Sequence, residues 1–153
     1  MQEFSIGTAS PEDIPALELL LAALFSIEAD FHPDVERQRR GLALLMEDAA
    51  RAVVMTARDS SGTVIAMASA QLVVSTAEGA RSAWIEDVVV AERFRGRSIG
   101  AALLAALLDW ARERGATRAQ LLADRDNASA LAFYGRLDWQ PTQLGAWRIP
   151  LRK

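Results

Sequence analysis

Residues 88–100 read VVVAERFRGRSIG: a β-branched run, a short arginine-rich segment and the beginning of an apolar segment. This order predicts a strand that turns tightly into the N-terminus of a helix. Unpaired backbone N–H groups converge at such a terminus, and the helix dipole favours negative charge there. Gly96 and Gly100 would let a phosphate approach the backbone, while Arg95 and Arg97 would add positive charge. The segment therefore predicts an anion-binding turn.

The glycines of this segment have a second interpretation, in which they serve only the connection between strand and helix. Their spacing fits neither the P-loop, which ends in Gly-Lys-Ser/Thr, nor the dinucleotide-binding fingerprint, which has a third glycine. Glycine spacing alone therefore leaves both interpretations open.

Hydrophobic periodicity and turn residues predict alternating strands and helices on both sides of this segment. Strands are predicted at 2–9, 52–58, 63–74, 82–90, 118–123, 139–141 and 147–151, and helices at 10–29, 35–50, 99–114 and 126–137. This order predicts one α/β (α+β) domain over residues 1–153, with a mixed, mostly antiparallel central sheet and helices on both faces. The unit 82–123 predicts a crossover between parallel strands.

Composition excludes several classes of protein. The 153 residues are 51% hydrophobic and 24% charged, which is typical of a globular domain. The chain has no cysteine and one histidine, which excludes thiolate metal sites, cysteine nucleophiles and multi-histidine metal centres. A net charge of -3 gives no general basic field for nucleic acid. Neither a signal peptide nor a membrane span is predicted, so we expect a cytoplasmic protein with no bound metal.

Residues 95–100, Arg-Gly-Arg-Ser-Ile-Gly, resemble the coenzyme-A-binding motif of the GNAT superfamily of N-acetyltransferases, Gln/Arg-x-x-Gly-x-Gly/Ala. Ser98 stands where that motif usually has its first glycine, and we expect the serine to adopt a helix-start conformation. The resemblance implies a GNAT-like domain that binds acetyl-CoA (coenzyme A). It assigns the pyrophosphate to the turn and the pantetheine and acetyl group to the preceding strand, with cofactor-binding roles for Val88, Val89, Val90, Arg95, Gly96, Arg97, Ser98, Ile99, Gly100 and Ala101.

A second segment, residues 127–139, resembles the later motif of the same family, in which an asparagine precedes a Phe-Tyr pair. The resemblance implies that Asn127 contacts the cofactor and that Tyr134 contacts it and protonates the departing thiolate. Asp138-Trp139 replaces the Gly-Phe of the family pattern. Alternatively, Phe133 and Tyr134 are two core aromatics.

Two adjacent acids, Glu86 and Asp87, interrupt the apolar strand before the turn. Strand alternation points them to opposite faces, so one of them at most meets the substrate. Glu-Asp at this place resembles the polyamine-acetylating, small-amine branch of the family, which implies that Glu86 lies near the amine and is the general base. Asp87 is assigned a structural role. Alternatively, Glu86 pairs with an arginine or caps a loop.

The acceptor site is predicted near the break between the first two helices, which roofs that site in the family. Phe31 and His32 would line it, and Glu28 belongs to an acidic run that would attract a cationic amine. His32 is a second candidate base, because histidine titrates near neutrality. The alternatives are an exposed loop histidine and a solvated acidic face.

These residues predict an acetyl-CoA-dependent N-acetyltransferase that moves the acetyl group directly to a primary amine of a small molecule or peptide. No metal or covalent intermediate is expected. A catalytically silent acyl-CoA-binding regulatory module and transfer of a longer acyl group remain open. Family analogy predicts a homodimer, with the closing strands and Trp147 as candidate contacts.

Overall fold

The computed structural model describes residues 3–28 and 32–152. The strands are β1 (Phe4–Thr8), β2 (Ala52–Asp59), β3 (Val64–Ser75), β4 (Ala80–Val90) and β5 (Ala116–Leu121). The α-helices are α1 (Ile14–Ile27), α2 (Val35–Glu47), α3 (Ile99–Glu113) and α4 (Ala128–Arg136), and short 3-10 helices lie at Pro11–Asp13 and Glu92–Phe94. Contacts within the chain divide it into two compact units, Met1–Leu121 and Leu122–Lys153, which are described separately.

The five strands form one sheet in the spatial order β1-β2-β3-β4-β5. Neighbouring strands are antiparallel from β1 to β4, whereas β4 and β5 are parallel and are connected through α3. Parallel neighbours need such a crossover, because a tight turn reverses the chain direction. The predicted mixed, mostly antiparallel sheet is confirmed.

Helices cover both faces of the sheet. Leu17, Leu20 and Leu21 of α1 pack with Val54, Met67 and Val89, which point to the same face of β2, β3 and β4. Ala66, Ala68 and Ala70 alternate with Met67 along β3, are fully buried, and therefore face the opposite side, where α3 packs. Leu103 and Leu107 of α3 are fully buried. The predicted α/β layering is thus confirmed.

The connection between α1 and α2 is held at its base by one buried amide. The Gln38 side chain donates from Nε2 to the Glu18 carbonyl at 2.9 Å and accepts at Oε1 from the Asp34 N–H at 2.9 Å. Beside it, Arg39 Nε donates to Glu18 Oε1 at 2.8 Å. These contacts fix where α2 begins relative to the middle of α1.

The second unit contains α4 and, after it, irregular chain. The strands predicted at 139–141 and 147–151 are wrong: residues 139–152 contain no strand. Trp147, Ile149 and Leu151 do alternate with polar or proline residues, as in a strand, but each is at least 80% exposed. A strand exists only where a neighbouring strand accepts its hydrogen bonds, and alternation cannot supply that neighbour.

The other predicted bounds differ from the observed ones by a few residues, as helix and strand ends commonly do. The largest change is at the first helix, which begins with the 3-10 turn Pro11–Asp13 before α1. Across the part of the chain that the structure describes, every helix is too short or too polar to cross a membrane.

Candidate functional site

Strand β4 has an edge that β5 covers only in part. The parallel pairing of β4 with β5 ends at Ile85 and Leu121, while β4 itself continues to Val90. No described strand pairs with residues 86–90 on that side. Their other edge pairs with β3, where Met67 lies opposite Val89. The backbone of residues 86–90 therefore has hydrogen-bonding groups along an edge that no described strand covers.

A β-bulge interrupts β4 at this place. Met67 lies opposite Val89 but Ser69 lies opposite Glu86, so Ala68 faces two residues, Asp87 and Val88. Asp87 has a positive φ of 56°, a left-handed conformation that aspartate tolerates better than most residues. A bulge re-aims the side chains around it. The two-residue alternation that assigned Glu86 and Asp87 to opposite faces therefore does not hold across this segment.

The predicted anion turn lies between β4 and α3, and two of its residues are left-handed. Gly96 has φ 77° and Ser98 has φ 63°. A Cβ at Gly96 would meet no atom within 4 Å, so backbone conformation rather than space favours glycine there. Ser98 is the N-cap of α3, but its side chain makes no capping hydrogen bond. The expected helix-start conformation of Ser98 is wrong, because the turn imposes the glycine-like conformation instead.

Three arginines surround this turn. Arg95 Nε donates to the Val90 carbonyl at 3.0 Å and so ties the turn to the end of β4. The guanidinium groups of Arg93 and Arg97 lie 4.9 and 5.4 Å from the centroid of the Phe94 ring. All three arginines are exposed. The turn therefore combines a helix N-terminus with positive charge, which suits a phosphate group.

A cavity of about 620 Å³ lies on the β1 side of the turn. Glu3, Asp59 and Arg97 are the charged residues in its lining. The pKa of the Asp59 carboxyl is lowered, first by the Ser61 hydroxyl that donates to it, so this acid is ionised at neutral pH. Ser98 and Ile99 at the N-terminus of α3 also line this cavity, so it adjoins the turn.

The two acids of β4 have different surroundings. Glu86 is exposed, and its Oε1 accepts a hydrogen bond of 2.8 Å from Trp84 Nε1. Asp87 is half-buried, and burial raises its pKa to about 7, with further contributions from the charges of Glu86 and Glu28. The sequence analysis assigned Asp87 a structural role and did not predict the bulge around it, because that bulge depends on the pairing of β3 with β4 and leaves no local signal.

The predicted acceptor residues are only partly described. Glu28 ends α1, where its N–H donates to the Leu24 carbonyl at 3.2 Å, and its charge acts on Asp87. His32 is exposed in the segment before α2. Phe31 lies outside the described residues. The structure therefore connects Glu28 electrostatically to Asp87 of β4, and among the described residues it shows no contact that gives His32 a role.

In the second unit, α4 carries both residues of the later motif. Asn127 is the N-cap of α4, and its side-chain oxygen accepts from the Ala130 N–H at 3.0 Å. This leaves the carboxamide NH₂ as the group that can donate to a ligand. Tyr134 packs edge-on against Phe133 and Trp139, with ring centroids 5.2 and 6.0 Å away. Trp139 thus closes an aromatic cluster where the family pattern has a phenylalanine.

Comparisons with known proteins agree with this geometry. The N-acetyltransferase YobR of Bacillus subtilis (strain 168), itself uncharacterized, is 32% identical over 65 residues, which are 42% of this chain and 26% of that protein. The chain thus matches about a quarter of the length of this relative.

Solved structures show the same fold. A "possible acetyltransferase" from Clostridium difficile 630 superposes with a TM-score of 0.84 at 16% identity, over 99% of this chain and 100% of that chain. Glucosamine-6-phosphate N-acetyltransferase from Arabidopsis thaliana superposes with a TM-score of 0.77 at 20% identity, over 97% of this chain and 99% of that chain. The model of the Acetyltransferase (GNAT) family matches residues 18–139, which include the β4 edge, the turn and the later motif. The chain therefore belongs to the GNAT family of acetyltransferases.

Proposed function

We propose that this protein is an acetyl-CoA-dependent N-acetyltransferase that moves the acetyl group directly to a primary amine of a small molecule or peptide. The observation that carries the proposal is the edge of Val88–Val90 that no described strand covers, which leads into a turn with left-handed Gly96 and Ser98 at the N-terminus of α3. A strand edge and an anion site follow one another within ten residues.

Acetyl-CoA fits these two features in its chemistry. Its pantetheine arm contains amide groups, which can pair with the backbone of a strand edge as another strand would. Its pyrophosphate suits the N–H groups of the turn and the charges of Arg93, Arg95 and Arg97. When bound, acetyl-CoA supplies an activated thioester carbonyl.

The residues of this chain have three tasks in the proposed reaction. A backbone N–H of Val88–Val90 donates to the carbonyl oxygen and stabilises its negative charge during attack. Tyr134, the only tyrosine in the chain, donates a proton to the departing sulfur. A carboxylate takes the proton of the attacking amine, for which Glu86 is the sequence-based candidate and Asp87 the one that the structure adds.

We propose that the acceptor is a cationic amine, as in the small-amine or polyamine branch of the family. The support is electrostatic: Glu28, at the end of α1, and Glu86, on β4, both act on Asp87, so three carboxyl groups share one region. Such a region stabilises an ammonium group before it loses its proton. His32 and Phe31 remain candidates for lining this region.

The cofactor is tested by the shift in melting temperature on adding acetyl-CoA, with adenosine as a control. A ligand at about 100 times its Kd adds roughly 2.7 kcal/mol to the free energy of unfolding, a shift of several degrees. Because the chain has no cysteine, a thiol reagent then detects only released coenzyme A during a screen of amines. Binding without transfer to any amine would favour the regulatory module instead.

Gly96→Ala and Gly79→Ala form a matched pair for this test. Both glycines are left-handed and open, with φ 77° and 64°, and they lie after and before β4. Each substitution costs about 1–2 kcal/mol of backbone strain. Only Gly96→Ala should weaken acetyl-CoA binding. Equal loss of binding in both variants would remove the turn from the cofactor site.

Three further expectations are proposals on the same basis. We propose that residues 1–153 act as one catalytic domain, since the family match runs from residue 18 to residue 139. A homodimer and a cytoplasmic location remain predictions from the sequence.

A further inference from the structure

The cavity of about 620 Å³ on the β1 side of the turn is not used by the proposed acetyl transfer. All the residues that line it belong to the first unit. Its volume lies in the range of small-molecule sites, which is roughly 300–1,000 Å³. Its lining combines an apolar surface with charged groups of both signs, and it shares residues with the turn.

Small side chains on α3 leave space beside the sheet. Ala101 and Ala102 line the cavity, and both are half-buried. The rest of the apolar lining consists of two half-buried aromatic rings and two buried isoleucines: Phe4, Phe94, Ile65 and Ile99. This part of the cavity therefore suits the apolar body of a ligand.

The negative charges of the cavity lie on its sheet side. Asp59 ends β2 opposite Phe4 of β1, and opposed residues of an antiparallel pair project to the same face. The Asp59 carboxyl group is fixed by its own turn, because Oδ1 accepts from the Ser61 hydroxyl at 2.7 Å and from the Thr63 N–H at 3.0 Å. Among the described residues these hydrogen bonds engage Oδ1, which leaves Oδ2 for a positively charged ligand group. Glu3 adds a second carboxyl group to the lining.

The positive charge of the cavity comes from the segment that leads into α3. Arg97 lies in the lining, and its guanidinium group is 5.4 Å from the centroid of the Phe94 ring. Ser98 and Ile99, at the N-terminus of α3, also line the cavity. Among the described residues no ion pair joins Arg97 to an acid, so charges of both signs line the cavity without contacting each other.

A ligand that fits this lining has an apolar body, an ammonium group and a carboxylate. The apolar body packs on the rings of Phe4 and Phe94, the ammonium group pairs with Asp59, and the carboxylate pairs with Arg97. We propose that the cavity binds an apolar zwitterion, either a free α-amino acid or a dipeptide, and that its occupancy weakens acetyl-CoA binding at the adjoining turn. The effect on acetyl-CoA rests on the proposed function, whereas binding of the zwitterion does not.

The sign of the coupling between the two ligands follows from charge. A carboxylate beside Arg97 and the N-terminus of α3 offsets part of the positive charge that attracts the pyrophosphate. Each ligand therefore weakens the binding of the other by the same factor. Because the two ligands occupy separate places, we expect the apparent Kd of acetyl-CoA to rise about 5-fold and then to reach a plateau as the zwitterion is added.

Binding is tested by the melting temperature with L-phenylalanine, L-leucine and glycyl-L-phenylalanine, each at millimolar concentration and without acetyl-CoA. We expect at least one of them to raise it by several degrees near about 100 times its Kd, and the comparison of phenylalanine with its dipeptide distinguishes the two sources. Glycine lacks the apolar body, phenethylamine lacks the carboxylate and 3-phenylpropionate lacks the ammonium group, so each should give a smaller shift. The absence of a shift with all three zwitterions overturns the proposal.

Substitutions locate the binding in the cavity. Asp59→Asn keeps the Oδ1 acceptor of the turn but removes the charge, and it should raise the Kd of the zwitterion about 10-fold. Ala102→Met fills the cavity and should abolish binding, whereas Ala105→Met, at an exposed position three residues further along α3, should not. The two methionine variants decide the question if Asp59→Asn fails to fold. Equal binding in both methionine variants refutes the assignment to this cavity.

Glu86→Gln distinguishes the cavity from the amine site, because an amino acid is also an amine. This variant should bind the zwitterion as the parent does. Loss of binding in Glu86→Gln, with binding retained in Asp59→Asn, would place the zwitterion at the amine site and overturn the proposal.

The coupling is tested by titrating acetyl-CoA calorimetrically at increasing fixed concentrations of the zwitterion. A rise in the apparent Kd that reaches a plateau supports it. A rise without a plateau shows that the two ligands compete for one site and overturns the separate site, while an unchanged Kd refutes the coupling. A protein that binds the zwitterion but not acetyl-CoA overturns the proposed function and the coupling, and it supports the zwitterion site alone.

Discussion

Replacing Ser98 by glycine should stabilise the protein, although serine is the better residue at most helix N-caps. Ser98 has φ 63° and its side chain makes no capping hydrogen bond, so the usual advantage of serine is not realised. A left-handed conformation costs a residue with a Cβ about 1–2 kcal/mol. Glycine avoids this strain, but it also raises the conformational entropy of the unfolded chain, which lowers the free energy of unfolding by about 0.4–1 kcal/mol.

The net effect expected for Ser98→Gly is about 0.5–1 kcal/mol of added stability, or roughly 1–4 °C in melting temperature at this chain length. Ser98→Ala should leave the melting temperature nearly unchanged, because alanine keeps the strain and loses only an unengaged hydroxyl. Ser98→Val should lower it, because a β-branched residue fits the left-handed region worst. Thermal unfolding followed by circular dichroism measures all three. A destabilised glycine variant would show that the hydroxyl contributes to the turn, which would refute the reasoning.

Three more expectations follow from individual side chains. The native state binds the Asp87 proton more tightly than the unfolded chain does, so the free energy of unfolding should fall as pH rises from about 4 to about 7. Asp87→Asn should remove that decline, with a gain over the parent at pH 8 and none at pH 4 in urea titrations. Leu103→Ala, at a fully buried position of α3, should cost about 2–5 kcal/mol in the same assay. Gln38→Ala should cost about 1–3 kcal/mol, because it removes one hydrogen bond to the Glu18 carbonyl of α1 and one from the Asp34 N–H at the start of α2, and an unchanged midpoint would contradict the bridging role.

The sequence predicted the parts of the site that depend on local pattern. The β-branched run, the arginines and the two glycines of residues 88–100 indicated a strand, a tight turn and a helix, and the structure has these elements in that order. The apolar period of residues 99–113 likewise predicted α3. Each of these signals lies within one short, continuous segment of chain, where steric preference and side-chain periodicity act directly.

The features that sequence reasoning missed depend on pairing between distant segments. The bulge at Asp87 and Val88 exists because β3 is shorter than β4 by one residue between the pairs Met67–Val89 and Ser69–Glu86. No local pattern of β4 encodes that difference. The same reason explains why the predicted closing strands are not observed. Trp147 and its neighbours alternate as a strand does, but alternation does not provide a second strand to pair with.

The small residues of β3 set the spacing between the sheet and α3. Ala66, Ala68 and Ala70 form the fully buried surface on which α3 rests. Because these side chains are small, α3 packs close to the sheet. That distance in turn sets the position of the first turn of α3 relative to the edge of β4. An increase of two methyl groups, as in Ala68→Val, would lift the helix rather than fill a void, at a cost of about 1–3 kcal/mol. The position of the turn can therefore change through substitutions beneath α3 that leave every side chain of the turn intact.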